Sequence, residues 1–130
     1  MNNIKPDSEY KKPSSYKDLV VWQKSIEFAI KVIDIAENLG QSKRHFRLIE
    51  QLEAAVTSIP MNIAEGKGRK STKEYQHFLM IARGSLYETM TLLEIFRLKG
   101  WVSQEEFQSL EVYSDEIGKM INGLYGKLRG

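Results

Sequence analysis

Cysteine is absent from all 130 residues. That excludes disulfides and thiolate metal sites, and it suits a reducing compartment. Charge of one sign is lacking too: 19 Lys and Arg against 17 Asp and Glu leave a net +2, too little to announce nucleic-acid binding by itself. No stretch approaches the ~20 apolar residues of a membrane span. The polar start MNNIKPDSEYKK lacks the apolar run of a signal peptide. These absences predict a cytoplasmic protein with no membrane partner. Proline is scarce, and after Pro6 and Pro13 only Pro60 remains. No strand-like alternation, internal repeat or low-complexity segment competes with helical periodicity.

What is present is enough apolar material for one core in one domain. Residues 1–15 carry two of the three prolines and little to bury; they are expected to form a flexible tail, with Tyr10 and Tyr16 as candidates to dock it. Residues 16–130 are expected to fold as the bundle domain. Asp18 is the expected N-cap of a first helix that Gly40 ends. Its stripe is Leu19, Trp22, Ile26, Ala29, Ile30, Ile33 and Ala36, widened by Val21, Phe28, Val32, Ile35 and Leu39. A second helix should start between Ser42 and Phe46, with Lys43, Arg44 and Arg47 at its start, and run to about Glu65. A third follows Ser71, whose spacing to Glu74 is that of a capping box. It presents Tyr75, Phe78, Leu79, Ala82, Leu86, Met90, Leu93 and Phe96, carries Gly84 mid-helix, and ends at Gly100. Gly84 fits either a close helix crossing or a tolerated local weakness. Ser103 and Glu106 form a second capping box before a fourth helix lined by Phe107, Leu110, Tyr113, Ile117, Met120, Ile121, Leu124 and Leu128. Helices of about 20 to 26 residues span ~30–39 Å. Short connections make neighbours antiparallel, so the expected fold class is all-α, an antiparallel up-down-up-down four-helix bundle with a kinked second helix. The wide first stripe, and Ile81, Leu92 and Ile95 off the main stripe of the third helix, exceed what a monomer buries and point to self-association.

The most specified stretch is Ser58 to Ser71, SIPMNIAEGKGRKS. Ser58, Asn62, Glu65 and Arg69 share one helical face. Pro60 cannot donate to the Val56 carbonyl and should bend the helix. Gly66 and Gly68 allow left-handed backbone and are expected to end it. Asn62 and Glu65 are expected to satisfy backbone groups freed by Pro60 and by the helix end. Ser58, Pro60, Asn62, Glu65, Gly66 and Gly68 thus form a structural motif, with binding by Asn62 and Glu65 as the alternative.

Chemistry finds few parts. Glu74 and His77 have the Glu-x-x-His spacing of a di-iron bundle, but such a site needs the motif twice. The other histidine, His45, follows Ser42 at that spacing, and Glu74 already serves the helix start. No catalytic residue, metal site or cofactor is assigned. Lys67, Arg69, Lys70 and Lys73 cluster where the second helix meets the third, a candidate phosphate-contacting patch. Lys119, Lys127 and Arg129 near the end of the fourth helix also suit its dipole. An antiparallel bundle brings Lys127 and Arg129 back beside that patch.

Asp18-Leu19-x-x-Trp22-Gln23-Lys24, Gln51-Leu52, the run from Ser58 to Arg69, and Glu74-Tyr75-x-x-Phe78-Leu79-x-Ile81-Ala82-x-Gly84-Ser85 carry a resemblance. The chain resembles, over residues 16–128, a bacterial four-helix-bundle family whose first members were encoded by intervening sequences within large-subunit ribosomal RNA genes, hence an old ribosomal-protein label. The resemblance implies a cytoplasmic bundle that assembles as a ring, a homopentamer. It also implies kinship with the accessory variability protein of diversity-generating retroelements, a basic pentamer that binds nucleic acid and a reverse transcriptase. No enzyme activity comes with the family. Where the family often has two arginines after the leucine of Gln51-Leu52, this chain has Glu53 and Ala54, which removes cations from any nucleic-acid surface. The expected function is therefore a non-enzymatic, oligomeric accessory protein of RNA or DNA. The alternative is a homo-oligomeric scaffold that binds a reverse transcriptase or another protein without nucleic acid.

Overall fold

The computed structural model describes residues 15–40 and 45–128. Residues 1–14 of the expected tail, with Tyr10, and Ser42, Lys43, Arg44 and Arg129 lie outside the described residues, whereas Ser15 is described. Four helices follow one short 3-10 turn at Tyr16–Asp18: α1 (Val20–Gly40), α2 (Phe46–Lys67), α3 (Thr72–Leu98) and α4 (Gln104–Lys127). Among the described residues there is no strand. Each helix packs on its chain neighbours and α4 returns to α1, whereas neither diagonal pair approaches. Tight connections and a closed ring of neighbours give an up-down-up-down bundle.

The ends are set by local chemistry. Ser15 caps the 3-10 turn and Asp18 completes its capping box, so Asp18 is not the cap of the first helix; α1 begins after it, at Val20. At α4, Ser103 and Glu106 make both halves of their box. At α3 the Ser71 hydroxyl accepts from the Glu74 amide, but only this half of the expected box forms. After α3, Gly100 adopts φ +79°, the Gly100 amide donates to the Arg97 carbonyl, and the Trp101 amide reaches back to the Phe96 carbonyl at 2.8 Å. This glycine-dependent closure satisfies two carbonyls the helix would leave open. α2 opens differently: His45 takes φ 58° without a side-chain cap, and its ring stacks on Trp101 at 4.4 Å.

The core runs the length of the bundle. Phe28, Leu52, Ile59, Ile63, Leu79, Leu86, Leu93, Phe96, Ile117 and Ile121 are all but sealed from solvent. Each such side chain contributes about 1.5–3 kcal/mol of apolar transfer free energy. On α1 the centre of the buried face is Val21, Phe28, Ala29, Val32 and Ala36. Leu19, Trp22, Ile26 and Ile33 only flank it, and Ile30 is 56% exposed. The expected stripe is therefore rotated. On α3, Leu92 is buried while Ile81 and Ile95 stay partly exposed.

Candidate functional site

The Ser58–Ser71 segment becomes the seam between α2 and α3, the most extensive helix packing in the molecule. α2 runs unbroken through Pro60, whose ring is buried. The shared face of Ser58, Asn62, Glu65 and Arg69 resolves into two pairs. Asn62 Nδ2 donates to the Ser58 carbonyl at 2.8 Å and to Ser58 Oγ at 2.9 Å. The Ser58 hydroxyl in turn meets the Ser85 hydroxyl of α3 at 2.8 Å. Asn62 thus serves the Ser58 carbonyl and not the Val56 carbonyl that Pro60 frees. One turn further, Glu65 receives Arg69 at 2.6 Å, so its partner is a guanidinium and not the helix end. The same guanidinium lies over the Phe78 ring, 4.8 Å from its centre.

Gly66 has a different role from the one its spacing suggests. It sits inside α2, is buried, and has no positive φ. A Cβ there would lie 2.9 Å from Phe78 Cβ and 3.2 Å from the Tyr75 carbonyl oxygen. Only hydrogen at this position lets α3 approach so closely. Gly68 caps the helix in right-handed geometry, φ −81°, so neither glycine uses the left-handed region. The sequence offered Gly84 as a crossing point as well, yet a Cβ there meets nothing within 4 Å. Periodicity placed Phe78 on the apolar face of α3 without pairing it with Gly66, and it did not identify Ser85 as the partner of Ser58. The signal for Phe78 and Ser85 is that both face α2 when α3 is wound from Ser71.

Beyond this seam the chain turns through the cationic cluster. Lys67 is half-buried in the last turn of α2, and Arg69 is held by Glu65 and Phe78. Lys70 and Lys73 are exposed and make no ion pair among the described residues. Arg69, Ser71, Lys73, Glu74, His77 and Phe78 line a shallow groove of about 720 Å³. Gln76 Nε2 donates to the Tyr125 carbonyl at 3.1 Å, which brings the end of α4, and with it Lys127, beside the start of α3. Tyr16 and Trp22 share a second groove with Pro60 and Glu65, so the exposed Lys17 belongs to this end too. The structure therefore gathers cations from the 3-10 turn and from α2, α3 and α4 at one end, diluted by Asp18, Glu65 and Glu74. Lys17 was missed because its place depends on topology and not on sequence distance.

Glu53 is half-buried on α2 and Ala54 lies on its exposed face. Among the described residues no cluster of three or more His, Asp or Glu side chains could hold a metal ion, and no helix is long and apolar enough to cross a membrane. Among the described residues one buried side-chain polar atom is left over: the Tyr75 hydroxyl has no hydrogen-bond partner there, and burial raises its pKa above the usual 10.0.

No curated protein matches the chain. A crystal structure at 1.70 Å resolution of a protein of unknown function, from the S23 ribosomal protein family of Bacteroides thetaiotaomicron VPI-5482, is similar, with a TM-score of 0.78 and 28% identity over 82% of this chain and 98% of that one. The family described as 23S rRNA-intervening sequence protein matches residues 17–123, which hold the α2–α3 seam and most of the cationic end. By that match, this chain belongs to the 23S rRNA-intervening sequence protein family.

Proposed function

We propose that this chain is a non-enzymatic accessory protein that self-assembles in the cytoplasm and contacts RNA or DNA through its cationic end. The observation that carries the reading is the juxtaposition of Lys70 and Lys73, exposed and unpaired among the described residues, with Lys67 and Lys127. Cations spread over several elements read a phosphate backbone by charge and not by sequence. Arg69 acts as a support for the seam and adds its charge from there. A homopentamer repeats this end around a ring, which compensates for a net charge of only +2 per chain. The assembly is tested by sedimentation equilibrium, where a mass near five times 15.0 kDa is expected. Nucleic-acid contact is tested by fluorescence anisotropy of labelled RNA and single-stranded DNA across a salt series. Binding that falls steeply with salt supports it, and no binding at low salt overturns it.

A second reading has its own support. Glu65 neutralises Arg69, and Glu53 with Ala54 leaves the outer part of α2 without cations where the family often has them. These features favour a homo-oligomeric scaffold for a reverse transcriptase or another protein, whose apolar binding would change little with salt.

A further inference from the structure

α3 packs less extensively on α4 than on α2. Thr91 and Ser114 line an open groove of about 660 Å³ along this seam, walled by Tyr87, Met90, Ile95 and Phe107. Both ends are closed by hydrogen bonds between the helices. Arg83 Nη1 donates to Asn122 Oδ1 at 3.0 Å, and Arg97 Nη1 donates to Gln104 Oε1 at 3.1 Å. Tyr87 is 57% exposed and Ile95 43% exposed at the lip.

The rim carries the carboxylates of Glu94, Glu111 and Asp115. Glu94 is already committed, since Arg97 donates to it at 3.0 and 2.7 Å and holds its carboxyl below the usual range. Arg97 attracts Glu111 through space without pairing with it. Arg83 lies over the Tyr87 ring, 5.8 Å from its centre, and is hydrogen-bonded to Asn122. Lys119 stands one turn beyond Asp115 on α4. Glu111 and Asp115 remain exposed and without an ion pair among the described residues. An apolar slot with unmatched negative charge on its lip repels phosphate and fits a cationic segment with one apolar face.

We propose that the α3–α4 groove docks a basic amphipathic helix of another protein. Its apolar stripe lies against Tyr87, Met90 and Ile95, and its Lys or Arg side chains pair with Glu111 and Asp115. This rests on the groove alone, is independent of the cationic end, and gives Ile95 to the groove while the exposed Ile81, Val20 and Ile30 remain for self-assembly. The groove lies on the flank of the bundle, so one chain can hold nucleic acid and a cationic protein together.

The probe is a synthetic peptide of Leu, Lys and Ala, ~18 residues or five turns long, with leucines on one helical face. A scrambled peptide of the same composition is the control. Both are titrated into the full chain labelled at isoleucine methyls and backbone amides. The expected result is shifts confined to Tyr87, Ile95, Glu111, Asp115 and their neighbours, with affinity at least tenfold above the scrambled peptide. Combining Glu111→Lys with Asp115→Lys should lose at least tenfold in affinity at unchanged helical content. Equal binding of the scrambled peptide, or shifts spread over all acidic surfaces, overturns the proposal. So does protection of the groove that rises with protein concentration alone, which would make a second copy its occupant.

Discussion

Gly66 of α2 and Phe78 of α3 stand so close that a methyl group on the glycine would lie 2.9 Å from Phe78 Cβ. The approach is backbone-proximal on both sides, so no flexible side chain can swing away to relieve it. Gly66→Ala should therefore destabilise the fold by about 1–3 kcal/mol, the usual cost of overpacking. Gly84 sits in an equally helical setting with open space around it. Gly84→Ala should instead stabilise by up to ~1 kcal/mol. Urea unfolding of both variants checks the pair, and opposite signs are expected.

Ser58 and Ser85 link the same two helices through hydroxyls 2.8 Å apart, and Asn62 donates to the first of them. Replacing either serine with alanine leaves the other hydroxyl short of its partner at a largely buried site. Each single change should cost about 1–2 kcal/mol. The double variant should cost less than their sum by ~0.5–1 kcal/mol, because the same hydrogen bond is removed by either change. A double-mutant cycle by thermal unfolding measures this coupling.

The Tyr75 hydroxyl is buried with no hydrogen-bond partner among the described residues. Tyr75→Phe should raise stability by about 1 kcal/mol by removing an unsatisfied group. The alkaline limb gives a second readout. Burial lifts this phenol above its usual 10.0, so above that pH the unfolded chain releases the proton first. The stability that Tyr75 holds in its neutral form is then present below that pH and is lost as pH rises through the folded value. Above about pH 10 the Phe variant should lose less stability than wild type in the same unfolding assay.

Helix existence was legible because four apolar stripes, two glycine stops and the serine caps agree with one another. Ser103 with Glu106 could be recognised outright, since both partners lie within one turn. The buried face of α1 was not, because apolar residues surround so much of that helix that periodicity gives no unique centre. Only packing against α2 and α4 selects Phe28 and Val32 over Ile30. The motif itself was recognisable, but its work was not. Gly66 reads as a helix stop from α2 alone, and its need for a bare backbone is set by Phe78 and Tyr75 on the next helix. Likewise Asn62 stands close to Pro60, yet its amide reaches the Ser58 carbonyl and hydroxyl one turn back. The cationic end was legible from Lys67 to Lys73, where sequence distance and spatial distance coincide, and not at Lys17.

The cationic end is tested most directly by the salt dependence of RNA binding. Wild type is compared with a Lys67→Ala, Lys70→Ala, Lys73→Ala variant of the same assembly state. These side chains lie outside the α2–α3 hydrogen bonds, so assembly should survive. Affinity should fall in the variant, and the slope of log affinity against log salt should flatten by about 2, at ~0.7 for each phosphate that a lysine no longer neutralises on a single strand. An unchanged slope with undiminished affinity would contradict the account and move any nucleic-acid binding elsewhere on the molecule.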